Sequence, residues 1–351
     1  MAFPNDKTPH LSQGSHGVLD DTFTLFQTYT VLEPTRLDLS IAAQCPLWTR
    51  AQLKRVIDAG AVQVNQKTCT KPAQKLSPGD RVTYPMPSLD PEAPPKPEDG
   101  IKLDILYQDD DLFVIDKPSG LVVHPGAGNP HHTLVNALLS LDPAIARIGD
   151  PMRPGIVHRL DAPTSGLLLV ARSPRAYDAL TDMFARHDIH RQYWAICLAP
   201  KLQDHGTFDT PYGRHPTQRV KYSSRFDAPK RAITHFTTVD RNAQGFALVT
   251  CLLETGRTHQ IRVHMKHIGH TLFNDAHYGG NEVLKGVRTA KYKQFVQNCF
   301  AACPRQALHA KTLGFRHPTT NEWMQFDSVL PDDMQALIDK WQRYAVQPDE
   351  I

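Results

Sequence analysis

Residues 85–100 read Pro-Met-Pro-Ser-Leu-Asp-Pro-Glu-Ala-Pro-Pro-Lys-Pro-Glu-Asp-Gly, with six prolines. Proline has no N–H to donate and a fixed φ, so this stretch cannot run through a helix or a central strand. It is expected to be a semi-rigid extended linker. It divides a chain of 351 residues into pieces that must each bury their own core. The expected division is a flexible N-terminal tail over 1–33, a small domain over 34–84, the linker over 85–100 and a large domain over 101–351.

The small piece is basic. From Arg36 to Tyr84 there are eight Lys or Arg (36, 50, 54, 55, 67, 71, 75, 81) against three Asp (38, 58, 80). Thr49 is placed to cap a helix carrying Leu53, Val56 and Ile57, with Gly60 as its stop. Two strands are expected, over 61–64 and 81–84, beside turn signals at Asn65-Gln66 and Ser77-Pro78-Gly79-Asp80. A second basic stretch lies in the large piece. From Tyr212 to His235, six Lys or Arg (214, 219, 221, 225, 230, 231) face one Asp (227). Two such patches on a chain of net charge +3 point to a polyanion held at two places.

In the large piece, strands are expected over 103–107, 112–116, 167–171, 193–198 and 246–253. Helices are expected after Thr133, after Ser173-Pro174, over 258–268 with Ile261, Met265 and Ile268 inward, and after Pro331. No regular βαβ alternation appears, which predicts an α+β class with a large, mostly antiparallel mixed sheet. The segment from Arg153 to Gly166 is rich in Pro and Gly and ends on the apolar run 167–171. It holds one carboxylate, Asp161. A carboxylate at a loop–strand junction is a candidate nucleophile or base. The structural alternative is a loop Asp paired with Arg159.

His158-Arg159-Leu160-Asp161, followed by Thr164-Ser165-Gly166, resembles the signature loop of the RluA-type pseudouridine synthases. Four further patches resemble the same family in order: Asp116-Lys117-Pro118-Ser119-Gly120 with His124-Pro125, Arg191 to Ala195, Thr255 to Met265, and Arg305 to Ala310. Two departures stand out. Ala162-Pro163 occupies a place where the family often has Lys-Asp, and Asn274-Asp275 one where it usually has Gly-Asp. Residues 34–84 resemble the S4 RNA-binding domain, in which Arg36, Arg50, Lys54 and Arg55 would meet RNA phosphates.

The resemblance implies conversion of uridine to pseudouridine within RNA, with large-subunit ribosomal RNA or a pre-ribosomal particle as partner. Asp161 would be the catalytic carboxylate, Arg262 its ion-pair partner, and Tyr193 a ring that stacks on the extruded base and relays a proton. Ile261 and Leu308 would be apolar walls, with His158, Arg159 and Thr164 beside the substrate. Arg214, Arg219 and Lys221 would belong to an RNA-clamping insertion. The reaction is an isomerisation and calls for no cofactor. Transfer RNA, another ribosomal site, or a non-catalytic S4-type RNA-binding or assembly factor remain open alternatives.

Other classes find little support. No G-x-x-x-x-G-K-[ST] or strand–G-x-G-x-x-G–helix unit is present. His264, His267 and His270 are spaced by three, but no carboxylate or Cys completes a metal set, so no metal is expected. Six scattered cysteines form no C-x-x-C pair, and no apolar run is long enough to span a bilayer. A cytoplasmic protein with reduced thiols, monomeric and not membrane-bound, is expected.

Overall fold

The computed structural model describes residues 26–45, 50–86, 94–126, 129–199, 201–218, 220–225, 227–242, 245–283 and 289–346. The chain forms two units, Met1–Ala93 and Pro94–Ile351. In the first, Asn65 and Gln66 take left-handed backbone (φ 51° and 66°), which closes a two-residue hairpin between strands Val62–Val64 and Lys67–Cys69. The sheet order is Phe26–Thr30, Arg81–Pro85, Val62–Val64, Lys67–Cys69. Helices Leu37–Gln44 and Arg50–Asp58 bury Leu37, Ile41, Leu53 and Ile57 with Val62, Val82 and Tyr84.

Two expectations here are corrected. The tail does not reach 33, because Phe26–Thr30 pairs in register with Arg81–Pro85. The reason is an edge-strand contact with little local signal: Tyr29 packs edge-on against Tyr84 at 5.9 Å, and its hydroxyl donates to Ser40 Oγ at 2.6 Å. Nor is all of 85–100 free linker. Pro85 closes a strand, and residues 87–93 lie outside the described residues. The part from Lys96 on is fastened to the second unit: Asn136 Nδ2 donates to the Lys96 carbonyl at 2.7 Å, and Glu98 N donates to the Asn136 carbonyl at 3.0 Å.

The second unit is built on a ten-stranded sheet. Its path runs Tyr222–Ser224, His205–Arg214, Lys230–Arg241, Phe246–Leu253, His190–Leu198, Leu308–Arg316, Ser165–Ala171, Leu112–Lys117, Asp104–Gln108, with Trp323–Asp327 also paired to Leu308–Arg316. Among the described residues all of its ladders are antiparallel except one short one, His309 with Ser165 and Ala310 with Gly166. This agrees with the α+β expectation.

Alternation along His190–Leu198 serves two cores. Tyr193, Ala195 and Cys197 face a large cluster shared with Leu134, Leu138 and Leu180, from helices Leu134–Leu141 and Pro174–Arg186. Ile196 and Leu198 face a second cluster around Trp341, built by helices Ala290–Ala302 and Asp332–Val346. Thr133 and Ser173 cap their helices, as their positions predict. The helix expected over 258–268 runs only over Gln260–His267, because His259 has φ 62° and cannot be its first turn. Ile268 is corrected too: it follows the last helical residue and is 39% exposed.

Candidate active site

The segment leading into strand Ser165–Ala171 is held from behind. Gly166 has φ +107°, and a Cβ there would lie 2.2 Å from the Ala310 carbonyl oxygen, so only glycine permits the parallel pairing. The carbonyls of residues 161, 162 and 163 all accept hydrogen bonds. Thr164 N donates to Asp161 O at 2.9 Å. Gly120 N and Lys117 Nζ donate to Ala162 O at 2.7 and 3.1 Å. Ser119 Oγ and Arg305 Nη1 each donate to Pro163 O at 3.0 Å. Lys117 is fully buried, its ammonium also meeting the Pro118 and Leu121 carbonyls, and burial pushes its pKa down to about 7.

This places the Asp161 side chain, 16% exposed, against the helix Gln260–His267. Arg262 is the hinge of the site. Its Nη1 donates to Asp161 Oδ2 at 2.9 Å, while Nε and Nη2 donate to Asp275 Oδ2 and Oδ1 at 2.7 and 2.8 Å. Arg262 is 5% exposed and Asp275 1%. Burial works against the guanidinium's charge, but the two carboxylates outweigh it and hold its pKa above the ordinary value. The fork geometry is specific to arginine, since a lysine cannot grip one carboxylate with two parallel bonds and reach a second. Asp275 follows Asn274, whose φ of 56° lies in the left-handed region that Gly or Asn tolerates. Asn274 Nδ2 also donates to the Phe300 and Cys303 carbonyls, at 3.2 and 2.8 Å. The departure from the family pattern therefore keeps the turn.

A cavity of about 370 Å³ opens over Asp161. Leu253, Ile261 and Leu308 give it apolar wall, and Tyr193 a ring. The Tyr193 hydroxyl has no hydrogen-bond partner among the described residues. A ladder irregularity between Gln192 and Tyr193 re-aims that residue, and burial raises its pKa, so it stands as a neutral phenol. Arg159 is exposed on the rim and Arg191 is buried in the wall; neither pairs with a carboxylate among the described residues. Asp161 thus pairs with Arg262 rather than Arg159.

Eight of the expected site residues come together at this cavity: Asp161, Tyr193, Arg262, His158, Arg159, Thr164, Ile261 and Leu308. Two of them face inward to the scaffold. His158 Nε2 accepts from Leu169 N at 2.8 Å and its ring stacks on Phe184. Burial pushes its pKa down to about 3, so it is a neutral brace. Thr164 Oγ1 accepts from Gln306 Nε2 at 2.9 Å. Arg214 and Lys221 lie elsewhere in the unit. Lys221 lines a groove of about 540 Å³ with Lys266, Tyr222 and Tyr278, and Arg214 lies over the Tyr222 ring at 5.0 Å. Arg219 and the Arg50 side chain lie outside the described residues. In the first unit Arg36 pairs with Asp38, Lys54 with Asp58, and Arg55 is exposed. His264 is not poised for a metal: its Nδ1 and Nε2 meet the Thr234 and Thr210 hydroxyls at 2.9 and 3.2 Å.

Sequence reasoning missed Asp275, which holds Arg262, Lys117, which braces the Asp161 segment, and His259, which lines the cavity. His259 and Lys117 lie within motifs that resembled the family, but no spacing rule marks what they touch.

The chain was compared with known proteins. A family model described as RNA pseudouridylate synthase matches residues 111–267, and one described as S4 domain matches 35–82. The chain is 40% identical over 304 residues to the "uncharacterized RNA pseudouridine synthase YlyB" of Bacillus subtilis, covering 87% of this chain and 93% of the relative. It is 41% identical over 308 residues to the ribosomal large subunit pseudouridine synthase D of Escherichia coli K12, covering 87% and 90%. Against the protein of that name from Xanthomonas campestris it is 41% identical over 304 residues, covering 86% and 88%. Among solved structures, human RNA pseudouridylate synthase domain containing 1 aligns with a TM-score of 0.51 at 21% identity, over 71% of this chain and 98% of that one, a likeness of fold.

Proposed function

The chain belongs to the RNA pseudouridylate synthase family, and we propose that it uses Asp161 to isomerise uridine to pseudouridine in large-subunit ribosomal RNA. In this reading, residues 94–351 do the chemistry and the S4-matched residues 35–82 grip RNA backbone. The reaction breaks the bond from C1′ to uracil N1, turns the base and joins C1′ to C5. The proton on C5 leaves, and N1 gains one, so nothing is oxidised or reduced. The carboxylate can begin at C1′, at the uracil ring or by removing a ribose proton. Each route needs an ionised oxygen with a free lone pair, and Asp161 Oδ1 has no hydrogen-bond partner among the described residues.

The observation that carries this reading is the Arg262 fork beneath the cavity. It fixes Asp161 by Oδ2 alone and leaves Oδ1 to the cavity side. The 370 Å³ cavity is roomy enough for one extruded base. Leu253, Ile261 and Leu308 would keep the detached uracil from water, and Tyr193 would stack on it and pass a proton through its neutral hydroxyl. Arg159 and Arg191, cations without carboxylate partners among the described residues, support contacts to the flanking phosphates. Extruding a base costs a few kcal/mol, which such contacts offset.

Asp161→Asn tests the assignment. Pseudouridine mapping in ribosomal RNA from cells carrying the wild-type or the variant gene should show loss of the modification with the variant. Persistence of every site with Asp161→Asn as the sole copy would remove Asp161 from the chemistry. Loss of sites in transfer RNA alone would move the substrate.

A further inference from the structure

Asp161 has a second neighbour. His259 Nε2 lies 3.8 Å from Asp161 Oδ2, the oxygen that Arg262 already holds. On the other side of its ring, His259 Nδ1 lies 2.9 Å from the Tyr278 hydroxyl. That hydroxyl oxygen accepts from the backbone N–H of Tyr222 at 3.0 Å. Tyr222 belongs to strand Tyr222–Ser224, which pairs with the end of His205–Arg214 in the basic region. The rings are packed together: Tyr222 and Tyr278 each meet His259 edge-on at 5.7 Å, and Tyr278 lies beneath the Arg262 guanidinium at 5.0 Å.

The proton on each atom of this chain can be deduced. The Tyr222 N–H can only donate, so it occupies a lone pair of the Tyr278 oxygen. The Tyr278 hydroxyl hydrogen then needs an acceptor, and among the described residues His259 Nδ1 is the one within reach. Nδ1 therefore carries no proton. The opposite tautomer would turn the bare Nε2 lone pair toward the Asp161 carboxylate and leave the Tyr278 hydrogen unspent. Burial disfavours the imidazolium and, aided by Arg262, outweighs the opposing pull of the Asp161 carboxylate, bringing the His259 pKa down to about 4.

Resting on Asp161 as the acting carboxylate, we propose that His259 is a positioning residue: a neutral imidazole packed 3.8 Å from the Asp161 oxygen that Arg262 holds, which turns an N–H rather than a lone pair toward that oxygen and walls it off so that the other is left to react, its tautomer set by Tyr278 and the backbone of Tyr222. The left-handed backbone of His259, immediately before the helix that carries Arg262, sets its ring beside the oxygen that Arg262 holds.

The test has two readouts. The first is nitrogen-15 NMR of the histidine-labelled full chain, which distinguishes the two neutral tautomers and the cation. At neutral pH, His259 should be protonated on Nε2 alone, and Tyr278→Phe should weaken that preference. The second is single-turnover pseudouridine formation at saturating RNA. Tyr278→Phe keeps the ring over Arg262 and should slow turnover roughly ten- to a hundredfold, the scale of losing a partner that orients an acting group, with RNA affinity unchanged. His259→Asn tolerates the left-handed backbone but cannot reach Asp161, and should slow it similarly. His259→Gln restores a donor at about the position of Nε2 and should recover part of the rate. A proton on Nδ1 in the wild type, a cation at neutral pH, or Tyr278→Phe at full rate would overturn the proposal. So would a loss confined to RNA affinity. The NMR readout does not depend on catalysis, so a wild-type chain that converts no uridine would sink the functional reading while the tautomer is still decided.

Discussion

Asp275→Asn changes one atom type at a site 1% exposed to solvent, and its cost can be worked from the bonds. Asp275 accepts two charge-assisted bonds from Arg262, at 2.7 and 2.8 Å. Asparagine keeps one oxygen but turns an NH₂ toward a guanidinium N–H, so one bond becomes a donor–donor contact. A hydrogen bond to a charged group contributes about 1.5–3 kcal/mol, and breaking a buried ion pair from one side costs about 3–5 kcal/mol. A destabilisation of about 3 kcal/mol is expected, since the partner is replaced rather than deleted. For a unit of this size that is a fall in Tm of roughly 6–12 °C. Turnover should fall further than stability implies. With half its anchor gone, the guanidinium shifts, and a displacement of about 1 Å at a reacting group can cost about a hundredfold. RNA affinity should hold, because Asp275 does not line the cavity. Thermal unfolding followed by circular dichroism measures the first quantity, and single-turnover pseudouridine formation at a temperature where both proteins are folded measures the second. A variant that melts near the wild type refutes the buried-pair argument. One that melts early but turns over at the wild-type rate refutes the claim that Asp275 orients Arg262.

Lys221→Ala and Lys266→Ala each remove an exposed or half-buried cation from the groove beside Tyr222. Each should weaken RNA binding and reduce the slope of log K against log salt by about 0.7 to 0.9, as read by titrations at several salt concentrations, with saturated turnover unchanged. Burial holds His158 neutral down to about 3, and His259, His264 and His309 to about 4. Because unfolded histidines take up protons from about 6.5 downward, the unfolded chain binds more protons in that window. Stability should therefore fall as pH drops from about 6.5 toward 4, and His264→Gln should flatten that fall in denaturant titrations. Gly166→Ala places a Cβ against the Ala310 carbonyl in a backbone that L-residues rarely adopt. The prediction is a loss of several kcal/mol or failure to fold, read by solubility and urea unfolding; a normal midpoint would contradict the close approach.

How far the chain could be read from sequence follows from how far each contact reaches along it. Caps at Thr133 and Ser173, the run ending at Ala171 and the strand Phe246–Leu253 are local patterns, and they were legible. The resemblance likewise carried Asp161, Tyr193 and Arg262, which do meet at one cavity. The strand Phe26–Thr30 was hidden because its stabilising partners lie more than fifty residues away, around Tyr84. The parallel register of Gly166 on Ala310 leaves no periodicity at either end. The site repeats this division. A motif marks the residue proposed to react, because such chemistry demands one type at one place. What decides its orientation is the route by which distant turns return to it: Asp275 through Asn274 onto Arg262, and Tyr278 under Tyr222 onto His259. Such partners are chosen by packing, and their side chains are of common types, so nothing local distinguishes them from surface residues. Burial changes their weight, because a buried polar group gains most when matched and costs most when its partner is removed. The substitutions that most alter this carboxylate without touching it should therefore fall at Asp275 and Tyr278, outside the signature loop.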